Sequence, residues 1–207
     1  IWDSHVDLPC QDGSPASSDI PCNIVSMLKI RNAALEWTQV MRSTDIFLGL
    51  PHNLVQFTSL HEIIAGWLGV KIGEFNLVTD NLHVYERDLH RVKSYSIDNK
   101  IIYNEDELYL EKDDSERAFQ FLAMAVEQII DNNVSEDSLL NLHDIELLPP
   151  AYMNILYVLI AEGLRRRNCL GDANSVIDKC SNQIYIKLWR AWIDRVEQKQ
   201  TSFGGKK

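Results

Sequence analysis

Four short motifs hold residue types that can do chemistry. They are Pro21-Cys22, Arg42-Ser43-Thr44-Asp45, Gly49-Leu50-Pro51-His52-Asn53 and His83-Val84-Tyr85. A cysteine becomes a strong nucleophile near neutral pH once a nearby cation favours its thiolate. An asparagine amide both donates and accepts hydrogen bonds, so it can read a polar edge. Each motif also has an ordinary explanation. A Pro-Cys pair is usually a loop or core cysteine, and Pro9-Cys10 is a second one here. Arg-Ser-x-Asp alone is a turn with a local ion pair. Gly-Leu-Pro-x-Asn alone is a helix start with Asn53 as its cap. His83 and Tyr85 alone are a surface histidine and half-buried packing. The motifs gain meaning only as an ordered set, with Cys22 lying 20 residues before Arg42.

In that order and spacing the set resembles the thymidylate synthase family, which includes pyrimidine nucleotide hydroxymethylases. The resemblance covers about residues 2–93 and not 94–207. It implies that Cys22 attacks C6 of a pyrimidine nucleotide. C5 then becomes an enolate-like carbon able to take a one-carbon unit from 5,10-methylenetetrahydrofolate. It further implies that Arg42 contacts phosphate and thiolate, and that Ser43 donates to the phosphate. Asn53 would read the pyrimidine edge, and His83 and Tyr85 would hold the sugar hydroxyl. Asp45 would accept N–H groups of the folate pterin. The catalytic set is then Cys22, Arg42 and Asp45. A homodimer with phosphate ligands crossing between subunits is also implied.

The departures from the family pattern are equally specific. Asn23 stands where a histidine usually follows the nucleophile, and Met41 where a glutamine usually precedes the arginine. Met41 is expected to offer no hydrogen bond near the base. His52 replaces a phenylalanine and is expected to put a titratable group beside Asn53. Asn81 replaces an aspartate. The paired phosphate arginines, a glutamate and the folate tryptophans are expected upstream of Trp2. The chain opens on Ile1-Trp2-Asp3 like the tail of a strand, so preceding residues are expected. The family's C-terminal lid is not recognisable. Once a methylene has formed at C5, hydride gives a methyl group and water a hydroxymethyl group, and a dry, closed site favours hydride. Methyl transfer to a dUMP-like substrate is the leading expectation, and hydroxymethyl transfer to dUMP or dCMP the alternative. Asn53 favours uracil. A catalytically inactive nucleotide-binding or structural relative is the reading of another class.

The elements that position these residues follow from periodicity. Residues 23–31 and 35–42 alternate as strands around a turn at Asn32-Ala33-Ala34, which predicts a hairpin with Leu35, Trp37 and Met41 on one face. Leu54, Phe57, Leu60, Ile64 and Trp67 predict a buried central helix ending near Gly69. Residues 74–79 and 82–85 have strand-like composition. The expected fold is α+β: a thymidylate-synthase-like mixed sheet with a central buried helix over residues 1–93, then a mainly helical part over 94–207. In that second part short strands are expected around 101–103 and 108–110. Helices are expected over 115–131, 150–167, 172–180 and 184–197, with Leu188, Trp192 and Val196 on the packed face of the last. The Arg165-Arg166-Arg167 run reads as a helix end that favours cations, or as a partner contact. Residues 201–207 are expected to be disordered.

Composition narrows the function classes. With 45% hydrophobic residues, the 207-residue chain can bury a core. A formal charge of −10 disfavours sequence-independent nucleic-acid binding. The four cysteines show no metal-ligand spacing and no disulfide framework, and no apolar run is long enough for a membrane span. No metal is expected, the partner is a pyrimidine nucleoside monophosphate, and the expected compartment is cytoplasmic.

Overall fold

The computed structural model describes residues 12, 14, 21–90, 103–144 and 148–204. The chain forms two compact units, residues 1–98 with 109–112, and residues 99–108 with 113–207. Cys10 and residues 101–102 of the strand expected around 101–103 lie outside the described residues.

In the first unit β1 (Asn23–Arg31) and β2 (Ala34–Asp45) pair antiparallel, and β3 (Lys71–His83) lies parallel to β2, giving a mixed sheet in the order β1-β2-β3. The hairpin turns on Asn32 and Ala33, whose φ angles of 50° and 58° are both left-handed. This is the twist that two-residue hairpin turns need. The stretches 74–79 and 82–85 are not separate strands, because β3 runs unbroken from 71 to 83. One extra residue sits in β1 between Asn23, which pairs with Met41, and Val25, which pairs with Val40. Successive strand residues face opposite ways, so this bulge turns Asn23 to the face opposite Val25.

Helix α1 (Gly49–Leu68) joins β2 to β3 and stops at Gly69, whose φ of 63° gives the left-handed cap. Its buried side packs Phe57 on Trp37 and Met41, with Phe75, Leu77 and Cys22 around them. The Trp37 and Phe57 rings meet edge to face at 5.8 Å. Buried His61 bonds the Leu35 carbonyl at 2.6 Å, and buried Gln39 accepts from Ser26 Oγ and Trp37 Nε1. Helix burial is one-sided: Phe57 is inside, whereas Val55, Trp67 and Leu68 are exposed on this chain. Gly66 lets residues 109–112 approach, since a side chain there would collide with the Leu110 backbone.

The second unit contains α2 (Lys112–Ile130, of which Asp113 onward belongs here), α3 (Glu136–Leu140), α4 (Pro150–Arg166), α5 (Leu170–Ile177) and α6 (Gln183–Gly204). No strand forms over 103–111. Residues 103–108 are instead fastened to α4. Tyr152 Oη donates to the Leu108 carbonyl at 2.9 Å, and Asn154 Nδ2 donates to both oxygens of Asp106 at 3.0 and 3.1 Å. The α6 stripe is shifted from the expected one: Ile186, Trp189 and Ile193 are buried, whereas Leu188 and Trp192 are exposed. Thr201–Gly204 continue α6 rather than fraying, as no proline interrupts the pattern. The arginine run is structural. Arg165 and Arg166 pair with Glu162, and Arg167 donates to the carbonyls of Ile129, Gly163 and Asp131. Among the described residues no helix is long and apolar enough to cross a membrane.

Candidate active site

The C-terminal ends of β2 and β3, the start of β1 and the first turns of α1 enclose a cavity of about 340 Å³. All seven residues expected from sequence line it: Cys22, Arg42, Ser43, Asp45, Asn53, His83 and Tyr85. Asn23, Met41, Thr44 and Gly49 complete the lining. Thr44 and Gly49 were not singled out by sequence, although both stand inside the motifs. Thr44 is buried and links the strands, accepting from Thr79 Oγ1 at 3.1 Å.

Each wall has a local cause. The Arg42 N–H donates to the Cys22 carbonyl at 2.9 Å and Arg42 Nε to the Pro21 carbonyl at 3.0 Å, so the arginine is held along the Pro-Cys step. Ser43 Oγ lies 3.3 Å from His83 Nδ1, joining neighbouring strand ends. The Ile46 N–H donates to the His83 carbonyl at 2.7 Å and closes that corner. Tyr85 stands edge-on to His83 with ring centres 5.1 Å apart, and Arg87 lies over the Tyr85 ring at 4.6 Å.

Asp45, not Asn53, serves the helix start. Its Oδ2 accepts from the N–H groups of Leu48 at 2.6 Å and Gly49 at 3.2 Å. Burial pushes the Asp45 carboxyl up, but the N–H groups of Leu48, Gly49 and Phe47 and the neighbouring His83 outweigh this and hold it below its ordinary value. Asn53 lies inside α1 and donates through Nδ2 to Met41 Sδ at 3.5 Å, a sulfur that also takes Thr44 Oγ1 at 3.5 Å. This corrects the expectation for Met41: the thioether is a weak acceptor and orients the Asn53 amide. It also corrects the expectation for His52, which is exposed, bonds the Leu48 carbonyl at 2.5 Å and is not among the lining residues.

Two buried side-chain oxygens at this cavity, Asn23 Oδ1 and Asp45 Oδ1, have no hydrogen-bond partner among the described residues. Leaving a buried acceptor unpaired costs about 1–3 kcal/mol. Among the described residues no cluster of histidine, cysteine and carboxylate side chains fits a metal ion.

A thymidylate synthase family model matches residues 14–136. The chain belongs to the thymidylate synthase family. The match runs beyond residue 93 into α2. Among curated relatives, a deoxyuridylate hydroxymethyltransferase of Bacillus phage SP01 is 41% identical over 73 residues, 35% of this chain and 19% of that protein. A second, from Pseudomonas phage M6, is 35% identical over 94 residues, 44% of this chain and 25% of that protein. A thymidylate synthase of Listeria monocytogenes is 32% identical over 73 residues, 35% of this chain and 23% of that protein. The matched stretch thus spans a quarter or less of these relatives' own length.

Proposed function

We propose that this thymidylate synthase family member transfers a one-carbon unit from 5,10-methylenetetrahydrofolate to C5 of a dUMP-like nucleotide, through a bond between Cys22 Sγ and C6. The observation that carries this reading is the convergence of Cys22, Arg42, Ser43, Asp45, Asn53, His83 and Tyr85 on one cavity. Cys22 adds to C6 and pushes electron density to C5. Arg42, held along the Pro-Cys step, meets the phosphate together with Ser43. Asn53 reads the pyrimidine edge, and the Met41 sulfur on its Nδ2 biases which way the amide faces. His83 and Tyr85 hold the sugar. The carboxylate of Asp45, which lines the same cavity, accepts the N–H groups of the folate pterin. Methylenetetrahydrofolate supplies the carbon when bound.

The product is the hydroxymethyl nucleotide. Methyl transfer led on motifs alone, but the 41% and 35% identities are to hydroxymethyltransferases, against 32% to the Listeria thymidylate synthase. We also propose a homodimer that supplies the remaining phosphate ligands, with exposed Val25, Met27 and Val78 on the sheet face across from α1 as the contact.

Incubation of the full-length protein with C5-tritiated dUMP and methylenetetrahydrofolate tests the activity. Tritium release, with a product heavier than dUMP by a hydroxymethyl group, is expected. Nucleotide binding without release marks a binding protein instead. Asn53→Asp should shift preference towards dCMP, because a carboxylate accepts where the amide can donate. A wild type that already prefers dCMP contradicts the uracil assignment.

A further inference from the structure

We infer that Met41, pinned by Thr44 and Thr79, decides uracil over cytosine by admitting one orientation of the Asn53 amide, an inference that rests on the nucleotide reading of the cavity proposed above. An asparagine amide does not by itself choose between the two bases. Uracil presents N3–H as a donor and O4 as an acceptor, whereas cytosine presents N3 as an acceptor and its amino group as a donor. The amide carries an acceptor and a donor side by side, so a flip about its last bond turns a match for one base into a match for the other. The choice has to come from a neighbour that tells Oδ1 from Nδ2.

Met41 is that neighbour. Its sulfur lies 3.5 Å from Asn53 Nδ2. A thioether only accepts, so it takes an amide N–H and repels Oδ1. One amide hydrogen is thereby spent on the sulfur. Oδ1 and the second amide hydrogen are left to read a base in a fixed order, on a residue that is half-buried and lines the cavity.

A methionine side chain is flexible, but this one is held. Period-two alternation slips at the end of β2, so that Met41 and Thr44, three residues apart, are each only 2% exposed. Thr44 Oγ1 donates to the Met41 sulfur at 3.5 Å and accepts from Thr79 Oγ1 at 3.1 Å. Thr79 is the β3 residue paired with Met41, and its hydroxyl also reaches the Asn81 carbonyl at 3.4 Å. The sulfur thus receives one donor from the strand and one from the helix, and it cannot turn from Asn53 without leaving Thr44. Met41, Thr44 and Thr79 are positioning residues, and reading the base stays with Asn53.

Equilibrium dialysis of full-length wild type and variants against dUMP and dCMP gives the ratio of the two affinities, and tritium release from C5-labelled dUMP is measured alongside. Wild type should prefer dUMP. Met41→Leu keeps the volume and removes the acceptor, and should lower the preference about fivefold or more. A merely structural loss weakens both nucleotides together and leaves the ratio alone. In Asn53→Ala, adding Met41→Leu should change the ratio no further, because Met41 acts through the amide. If the leucine variant does not fold, Thr44→Val should lower the preference about twofold or more, and Thr44→Ser should keep it. A wild-type ratio in folded Met41→Leu and Thr44→Val overturns the role of Met41, and so does a wild type that binds both nucleotides alike or dCMP better. Tritium release in those cases leaves the one-carbon reading standing. Preference for dUMP that falls in Met41→Leu, without tritium release from wild type, supports the role of Met41 and removes the one-carbon reading. Binding of neither nucleotide overturns both.

Discussion

Each unit holds a cysteine and an asparagine close together, and the two pairs live under opposite conditions. In the first unit Cys22 is half-buried at a cavity, and Asn23 beside it keeps an unpartnered oxygen. In the second, Cys180 is buried, with its Sγ 3.9 Å from the Asn154 carbonyl. Burial, then the charges of Asp106 and Asp178, push its thiol up to about 11. The Asn154 amide is fully used: Nδ2 donates to Asp106 and to Ser181 Oγ, and Oδ1 accepts the Ser181 N–H at 3.0 Å. Buried polar groups that are satisfied hold a fold together, and a buried group left unpaired costs stability. Among the described residues of the second unit, Ser115 Oγ is the buried side-chain atom without a hydrogen-bond partner.

The sharpest way to break this contrast is at the sulfurs. Cys22→Ala should abolish the 5-fluoro-dUMP adduct and lower turnover by roughly 10³ or more. Cys180→Ala should leave both intact, because a thiol held near 11 carries almost no thiolate at neutral pH. Cys10→Ala is expected to leave the adduct intact as well. Adduct mapping by peptide mass spectrometry reads all three, and label on Cys180 or Cys10 would reverse the assignment.

Next comes the satisfied asparagine. Asn154→Asp sets a buried carboxylate against Asp106, where an amide had donated to both oxygens. Loss of that donor with a like charge in its place should destabilise the second unit by about 3–5 kcal/mol. Urea unfolding followed by helical circular dichroism measures it. A shift near zero would mean that this network does not hold residues 103–108 to α4.

The first unit's counterpart is steric. Gly66→Ala drives a methyl into the Leu110 backbone, which has no flexible end to move aside. About 2 kcal/mol of destabilisation is expected, read as a lowered midpoint in the same unfolding experiment. An unchanged midpoint would show that residues 109–112 can leave α1 at little cost.

What was legible in the sequence follows from how local each signal is. The site was readable because its seven residues sit in four short motifs, and two strand ends and a helix start bring those motifs to one cavity. The first hairpin was readable from period-two alternation, and β1 spans 23–31 as expected. The role of Asn23 as a lining residue was not, because a one-residue bulge reverses which face it takes. The packed face of α6 was misread because both candidate stripes are apolar at helical spacing. Which one is buried depends on partners such as Asn174, which accepts from Trp189 Nε1 at 2.9 Å. Residues 108–110 alternate like a strand but find no strand to pair with. Backbone pairing is a tertiary fact that composition does not carry.

The second unit's electrostatics give a smaller, pH-dependent effect. Hydrogen bonds from Arg165 first, then from Arg166, against the cost of partial burial, lower the Glu162 carboxyl from 4.5 to about 2. A depressed folded-state pKa stabilises the ionised form, so this contribution is complete above 4.5 and lost as pH falls through about 2. Thermal melts of wild type and Glu162→Gln should therefore differ above 4.5 and converge towards 2. A constant difference across that range would assign the effect to packing, not charge.

The smallest expected effect is at the hairpin turn. Asn32 tolerates a left-handed backbone because its short polar side chain can bond locally, but Ala33 at φ 58° has no such help. The conformation is imposed from both sides: the two strands require the turn's twist, and the Ala33 carbonyl accepts the Lys71 N–H at 2.9 Å. Ala33→Gly removes the clash of Cβ with the backbone, worth about 1–2 kcal/mol. It also gives the unfolded chain more freedom, which offsets about 0.4–1 kcal/mol. The net gain should be roughly 0.5–1 kcal/mol, seen as a raised unfolding midpoint with an unchanged urea slope. Ala33→Val works the opposite way, since a β-branched residue fits a left-handed backbone worst. If glycine destabilises and valine does not, the turn relaxes out of the left-handed region, and the register that sets Asn23 opposite Met41 is not fixed from this end of the hairpin.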